Sequence, residues 1–178
     1  MVRFMISLLF LLLPLSAYAQ SGNVFFGYSY LNAESPAGGR SNISGWNGSL
    51  EGKVFPHLGI VADIIGHYGT QNIFPCSGVD CFAFGLGTRQ HAFIFGPRIS
   101  ASVGKIRPFA HYLVGAGHIT VTNTGDSDTS FAQAIGGGVD YKLIPLLGLR
   151  VQGDLLQTRF FDGKQNDFRL STGIVLHF

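Results

Sequence analysis

After residue 20 the chain alternates repeatedly between apolar positions and small or polar ones. A period of two marks strands with unlike faces. In NVFFGYSYLN, Val24, Phe26, Tyr28 and Tyr30 share one face, and Phe25, Gly27, Ser29 and Leu31 the other. GWNGSLEGKVF sets Trp46, Leu50 and Val54 against Asn47, Ser49, Glu51 and Lys53. LGIVADIIGHY sets Leu58, Ile60, Ala62, Ile64 and Tyr68 against Gly59, Asp63 and His67. HAFIFGPRISASV, PFAHYLVGAGH, FAQAIGGGVDYK, LGLRVQGDLLQ and DFRLSTGIVLHF repeat the pattern, giving eight candidate strands. Each is about ten residues long, the length a tilted strand needs to cross a bilayer.

The connections alternate in length. Short ones fall at Pro56-His57, around GKIR before Pro108, and around Leu143 to Leu146. Long ones run about from Ala33 to Ser44, Gly69 to Leu86, Ile119 to Ser130 and Phe160 to Gln165. Short turns at one end, long loops at the other and an even strand number predict an all-β fold. The expected architecture is an eight-stranded antiparallel up-and-down transmembrane β-barrel over residues 20–178.

Charge separates the two faces. One face carries Glu51, Lys53, Asp63, His67, Arg98, His111, Asp140, Arg150, Asp154 and Arg169, and most of the small residues of the strands lie there too. An eight-stranded barrel has room inside only for side chains that fill it, so small residues leave space for a few long charged ones. The other face is aliphatic in mid-strand and aromatic toward the ends. Tyr30, Trp46, Tyr68, Phe131 and Phe168 lie toward the long loops; Phe26, Tyr141 and Phe178 lie toward the short turns. Two aromatic girdles around an aliphatic band suit a bilayer and its two interfaces. The charged face is therefore assigned to the lumen. Four acids (Glu51, Asp63, Asp140, Asp154) face four bases there (Lys53, Arg98, Arg150, Arg169). Buried charges are costly unless paired, so these eight are expected to form a lumen charge network that plugs the barrel.

The first twenty residues differ from the rest. A positive start at Arg3, the apolar run ISLLFLLLPLS and the small-x-small site Ala17-Tyr18-Ala19 have the layout of a secretory signal peptide over residues 1–19. The run is shorter than the roughly 18 residues of a spanning helix. Charged residues make up only 12% of the chain, about half the usual ~25%, so a large water-facing surface is not expected. Acids and bases nearly balance, which excludes the clustered positive charge of a nucleic-acid footprint.

The closing stretch STGIVLHF with its terminal Phe178, FGPRISASVGKIRPFAHYLVGAG and FAQAIGGGVDYK together resemble the strand-turn-strand pattern of OmpA-like small outer-membrane β-barrels, over roughly residues 22 to 178. The resemblance implies a bacterial outer membrane location after export and signal cleavage, with outer-membrane lipids as surroundings. It implies that Phe178 is a C-terminal assembly signal read by the barrel-assembly machinery, with periplasmic chaperones as escorts. It also implies a structural or surface-presenting, adhesion-type role, in which an extracellular ligand of the loops is the candidate partner. The chain stops at the eighth strand, so the peptidoglycan-binding domain of OmpA itself is not expected.

The remaining chemistry is sparse. Cys76 and Cys81, in FPCSGVDCF, can form a disulfide in an oxidising compartment. The gain would be modest because the closed loop is short. Metal binding is the rival, but no His or further Cys stands beside them. His67 lies near the outer end of its strand, His111 in mid-strand, and His57 and His177 at the inner edge. With Asp126, Ser127 and Asp128 in a long loop, they make no recognisable nucleophile constellation. No catalytic residue, cofactor or metal is expected. A small outer-membrane pore, a lipid-A-modifying barrel enzyme and a secreted lipocalin-like carrier, whose tryptophan signature Gly45-Trp46 faintly resembles, remain the alternatives.

Overall fold

Among the described residues ten strands follow one another: β1 (Gly22–Glu34), β2 (Arg40–Phe55), β3 (Leu58–Ile73), β4 (Cys76–Ser77), β5 (Asp80–Cys81), β6 (Phe84–Ser100), β7 (Ile106–Val121), β8 (Ser127–Ile144), β9 (Leu147–Thr158) and β10 (Gln165–His177). This computed structural model describes residues 21–34, 40–73, 76–77, 80–81, 84–122, 125–160 and 163–178. The signal peptide expected over 1–19 lies outside them. Eight strands close into one cylinder in the order β1-β10-β9-β8-β7-β6-β3-β2, and β4 and β5 pair separately as a small hairpin between β3 and β6. All pairings are antiparallel, and chain neighbours are sheet neighbours throughout.

Closure is made by β1 and β10, paired from Asn23↔His177 to Asn32↔Phe168. At its foot the Gly22 N–H donates to Phe178 O at 2.7 Å and the Phe178 N–H donates to Gly22 O at 3.0 Å. No unpaired edge then remains for another chain to add to. Gly27 and Gly173 face each other across this seam. A Cβ on Gly173 would lie 2.3 Å from the Gly27 Cα, and one on Gly27 would lie 2.3 Å from Thr172 O. The close approach of these two strands requires both glycines.

Exposure alternates with the sequence period. Phe26, Ile135, Leu155 and Ile174 are more than half exposed, whereas Arg98, Asp140, Arg150 and Arg169 are sealed inside. Contiguous apolar surface on this scale is not tolerated in water. The molecule is a cylinder turned inside out, with an apolar wall and a polar axis, as a membrane-spanning barrel requires.

Three expectations need correction. The barrel strands run from 12 to 18 residues rather than about ten, and the connections are correspondingly shorter; the one between β1 and β2 covers only 35–39. The ladders continue past the apolar band because backbone pairing is indifferent to whether the outward side chain is greasy or polar. HAFIFGPRISASV does not stay a strand to its end: β6 stops at Ser100, and Ser102 stands exposed beside the turn at Gly104, whose φ of 63 suits glycine. Finally, Phe26 and Trp46, placed in opposite girdles, stack with ring centroids 6.5 Å apart. Strand tilt brings an early residue of β1 level with the middle of β2.

Candidate functional site: a sealed lumen and a polar collar

The inward side chains fall into layers. Along β7 the order from the short-turn end is Arg107, Phe109, His111, Leu113; along β9 it is Arg150, Gln152, Asp154, Leu156; along β3 it is Val61, Asp63, Ile65, His67. The arginine-centred ion pairs therefore occupy the half of the lumen toward the short turns, and most of the aliphatic residues lie beyond them, where Asp167 is also buried, opposite Leu156.

The charged layer is one connected network. Arg150 grips Asp140 with two parallel bonds, Nε to Oδ1 at 2.6 Å and Nη2 to Oδ2 at 2.8 Å, the fork geometry that makes arginine–carboxylate pairs strong. Its Nη2 also donates to Asn23 Oδ1 at 3.0 Å, and the amide of Asn23 donates to Glu51 Oε2 at 2.8 Å. Glu51 receives Arg98 at 3.1 Å and Arg107 at 2.7 Å. Arg98 Nη2 donates to His111 Nδ1 at 3.1 Å, which leaves His111 Nε2 to donate to Asp154 Oδ1 at 2.7 Å. Arg169 binds Asp154 at 2.5 Å and Asp63 at 2.9 Å, and Asp63 also accepts from Asn47. Phe109 lies between two guanidinium groups, 4.3 Å from Arg98 and 4.7 Å from Arg150. Its ring faces attract both cations and hold them apart. Gly136 is part of the same fit, because a Cβ there would stand 2.1 Å from Asp154 Oδ1.

Seven of the eight residues expected in this network make ion pairs within it. Lys53 does not; it faces inward at the mouth of the barrel with no ion pair among the described residues. Arg107 takes that place. Reasoning from sequence put Arg107 in a turn, yet it shares its parity with Phe109 and His111, and that signal was available. Asn23, which bridges Arg150 and Glu51, and Asn47, which links Asp63 to Gln152, were also missed as members of the network.

Above the charges lies a layer that charge-counting could not anticipate. Leu31, Ala33, Ile43, Ile65, Ala92, Ile94, Leu113, Ala132, Ala134 and Leu156 form one buried apolar cluster, which Val61, opposite Glu51, extends down into the charged half. Phe160, also buried, caps it at the outer end, where its ring covers Gly117. The lumen is thus closed twice, by ion pairs and by hydrocarbon. His67 is enclosed nearby on Ser29 Oγ at 2.9 Å.

Toward the long loops the outward face changes from apolar to polar. Its side chains are cross-linked strand to strand. Arg40 donates to Asn32 and Asn32 to Asn42, each at 2.7 Å; Tyr112 donates to Gln133 at 2.8 Å, Gln133 to Gln157 at 2.6 Å and Gln157 to Asn166 at 2.6 Å. Tyr28 meets Ser44 at 2.6 Å and Tyr68 meets His91 at 2.9 Å. Such a belt has no place in hydrocarbon, so it marks where the wall leaves the apolar core of a membrane. Beyond it sits the β4–β5 hairpin, whose register sets Cys76 directly opposite Cys81. Their side chains lie outside what the structure describes. Among the described residues no group of three or more His, Cys, Asp or Glu could hold a metal ion.

Comparison with solved structures now decides the fold. Neisserial surface protein A superposes with a TM-score of 0.70 at 13% identity, over 88% of this chain and 97% of that one. These are small outer-membrane barrels. The attachment invasion locus protein Ail of Yersinia pestis gives 0.58 at 15% identity, covering 89% of this chain and 98% of that one. OprG of Pseudomonas aeruginosa also gives 0.58, at 11% identity, covering 90% and 97%. The resemblance to the OmpA-like barrels therefore holds at the level of fold. No protein-family model matches the chain, and no curated protein matches it by sequence.

Proposed function

We propose that this chain is a non-conducting outer-membrane barrel that presents its long loops and polar collar outside the cell, in an adhesion-type or structural role. The observation that carries the reading is the division of labour along the axis. The half toward the short turns is a sealed anchor. The half toward the long loops carries strands, hydrogen-bonded side chains and an extra hairpin past the apolar band. A pore would need an open axis, and the lumen holds buried ion pairs and a buried apolar cluster instead. An enzyme would need a reachable constellation, and the His111–Asp154 pair is enclosed. Loop display suits the barrel scaffold, because loops carried on a rigid frame are where binding residues concentrate. One related fold supports a ligand on this kind of scaffold: Ail has been solved with the heparin analogue sucrose octasulfate.

The test is expression on a non-adherent bacterium. Cells bearing the chain should gain binding to immobilised host matrix. Replacing the β1–β2 and β3–β6 connections by short Gly-Ser turns should abolish the gain while a heat-modifiable barrel persists in the outer-membrane fraction. Equal binding with and without those connections would refute loop display, and stepwise conductance in planar bilayers would refute the sealed lumen.

A further inference from the structure

The short-turn end of the barrel holds a surplus of positive charge that neither the network nor the proposed role uses. A cavity of about 220 Å³ opens there, lined by Lys53, Lys105, Arg107, Lys142 and His177 together with the carboxylate of Asp140. Asp140 cannot balance them, since both its oxygens are committed to Arg150. Glu51, the next carboxylate inward, is shared by Arg98 and Arg107.

Backbone pairing aggravates the imbalance. The β7–β8 ladder sets Arg107 opposite Asp140, and it runs one step further: the Lys142 N–H donates to Lys105 O at 2.8 Å. Lys105 and Lys142 thus stand across from each other at the lip of the cavity. Like charges in directly opposed cross-strand positions are destabilising, and Lys53 adds a third cation from β2. Arg107, half-buried at the inner end of the cavity, is already engaged with Glu51 and Ser100 through Nη2. Lys53, Lys105, Lys142, Arg107 and Ser102 thus line a space that would hold several water molecules at ~30 Å³ each.

We propose that this vestibule binds a phosphate-bearing anion, with Lys105 and Lys142 as a cross-strand clamp and Lys53 and Arg107 behind it. A phosphate accepts from several N–H donors at once and would turn the lysine–lysine repulsion into two attractions. The rim beside the cavity carries exposed Ile106 and Phe178, so the phosphate has two available sources, a lipid headgroup of the adjacent leaflet or free phosphate in the aqueous space.

The experiment uses the whole folded barrel in zwitterionic micelles. The midpoint of its heat-modifiable gel shift is followed with added inorganic phosphate, with phosphatidylglycerol mixed into the micelles, and with sodium chloride at matched ionic strength. At least one phosphate source should raise the midpoint above the chloride control. A gain with inorganic phosphate assigns the site to the free anion, and a gain with phosphatidylglycerol alone assigns it to the lipid. The variant Lys105→Gln/Lys142→Gln should weaken the apparent affinity about tenfold, while its midpoint without ligand rises because the repulsion is gone. Single Lys142→Gln should show half of each effect on a logarithmic scale, and Lys164→Gln, in the loop before β10, should show neither. The proposal is overturned if neither source exceeds the chloride control, or if the double variant keeps the full gain.

Discussion

Arg169 offers the sharpest test of the lumen. Its guanidinium is fully buried and bridges two carboxylates, binding Asp154 through Nε at 2.8 Å and Nη2 at 2.5 Å, and Asp63 through Nη2 at 2.9 Å. Replacing it by methionine keeps most of the volume and removes the charge. Asp154 would retain His111 and Gln152, but Asp63 would be left with the amide of Asn47 alone. Breaking a buried pair by removing one partner costs about 3–5 kcal/mol, because the other charge stays buried without compensation. Here one cation serves two anions, so the upper half of that range is expected, on the order of a thousandfold in the folding equilibrium constant.

The assay is urea unfolding of the barrel in lipid vesicles. Trp46 is the only tryptophan and sits on the outward face, so its fluorescence reports the transfer from lipid to water. A second variant separates charge from packing. Arg169→Met combined with Asp63→Asn and Asp154→Asn removes all three charges, and replacing a whole buried ionic group by neutral residues is often neutral or better. The triple variant should therefore recover most of the loss. A change below about 1 kcal/mol for Arg169→Met, the ordinary size for a point substitution, would refute the network. A triple variant as weak as the single one would refute uncompensated charge as the cause.

Three further outcomes are expected. Ile135→Arg, on the outward face beside Tyr112 and Leu155, should cost about 2–4 kcal/mol if the site lies near the bilayer midplane, measured as folding yield into vesicles; an unchanged yield would contradict the outward apolar wall. Gly136→Val should leave no heat-modifiable band, since its Cβ would stand 2.1 Å from Asp154 Oδ1 and 2.4 Å from Gly153 O; a folded band of normal intensity would show that the wall yields more readily than this geometry allows. Cys76 and Cys81 are directly opposite in register, and opposed antiparallel residues have Cα atoms about 4.5–5.5 Å apart, inside the range a disulfide spans. Alkylation of protein taken from membranes, followed by mass measurement, should add label only after reduction.

What the sequence disclosed and what it withheld divide along a physical line. Parity is a property of the chain alone, so within the strands the face of a residue, from Val24 out to Arg169 in, could be read without coordinates, while Ser102, past the end of β6, departs from it. The strand count and the position of the short turns at Pro56-His57, Gly104-Lys105 and Pro145-Leu146 follow from the same period and from turn residues. Height along the axis is a property of the stagger between strands, and no single strand contains it. That is why Phe26 was placed apart from Trp46, and why the inward aliphatic residues passed unnoticed. Leu31, Ile65, Ile94, Leu113 and Leu156 look like lapses in polar faces when each strand is read alone, and only the stagger gathers them into one sealing layer. The choice of Lys53 over Arg107 has another cause, because a strand started at Pro108 leaves Arg107 in the turn. Both are cations of inward parity near the short turns, and a count of charges treats them alike. Arg107 reaches both Glu51 Oε1 and Ser100 Oγ through one nitrogen, Nη2, at 2.7 and 2.9 Å, and its guanidinium is more weakly hydrated than the ammonium of a lysine, which is best left near water. Partner choice in a buried network is settled by donor geometry at a given height, so a sequence can state which charges must be reconciled while the barrel's shear selects which ones meet.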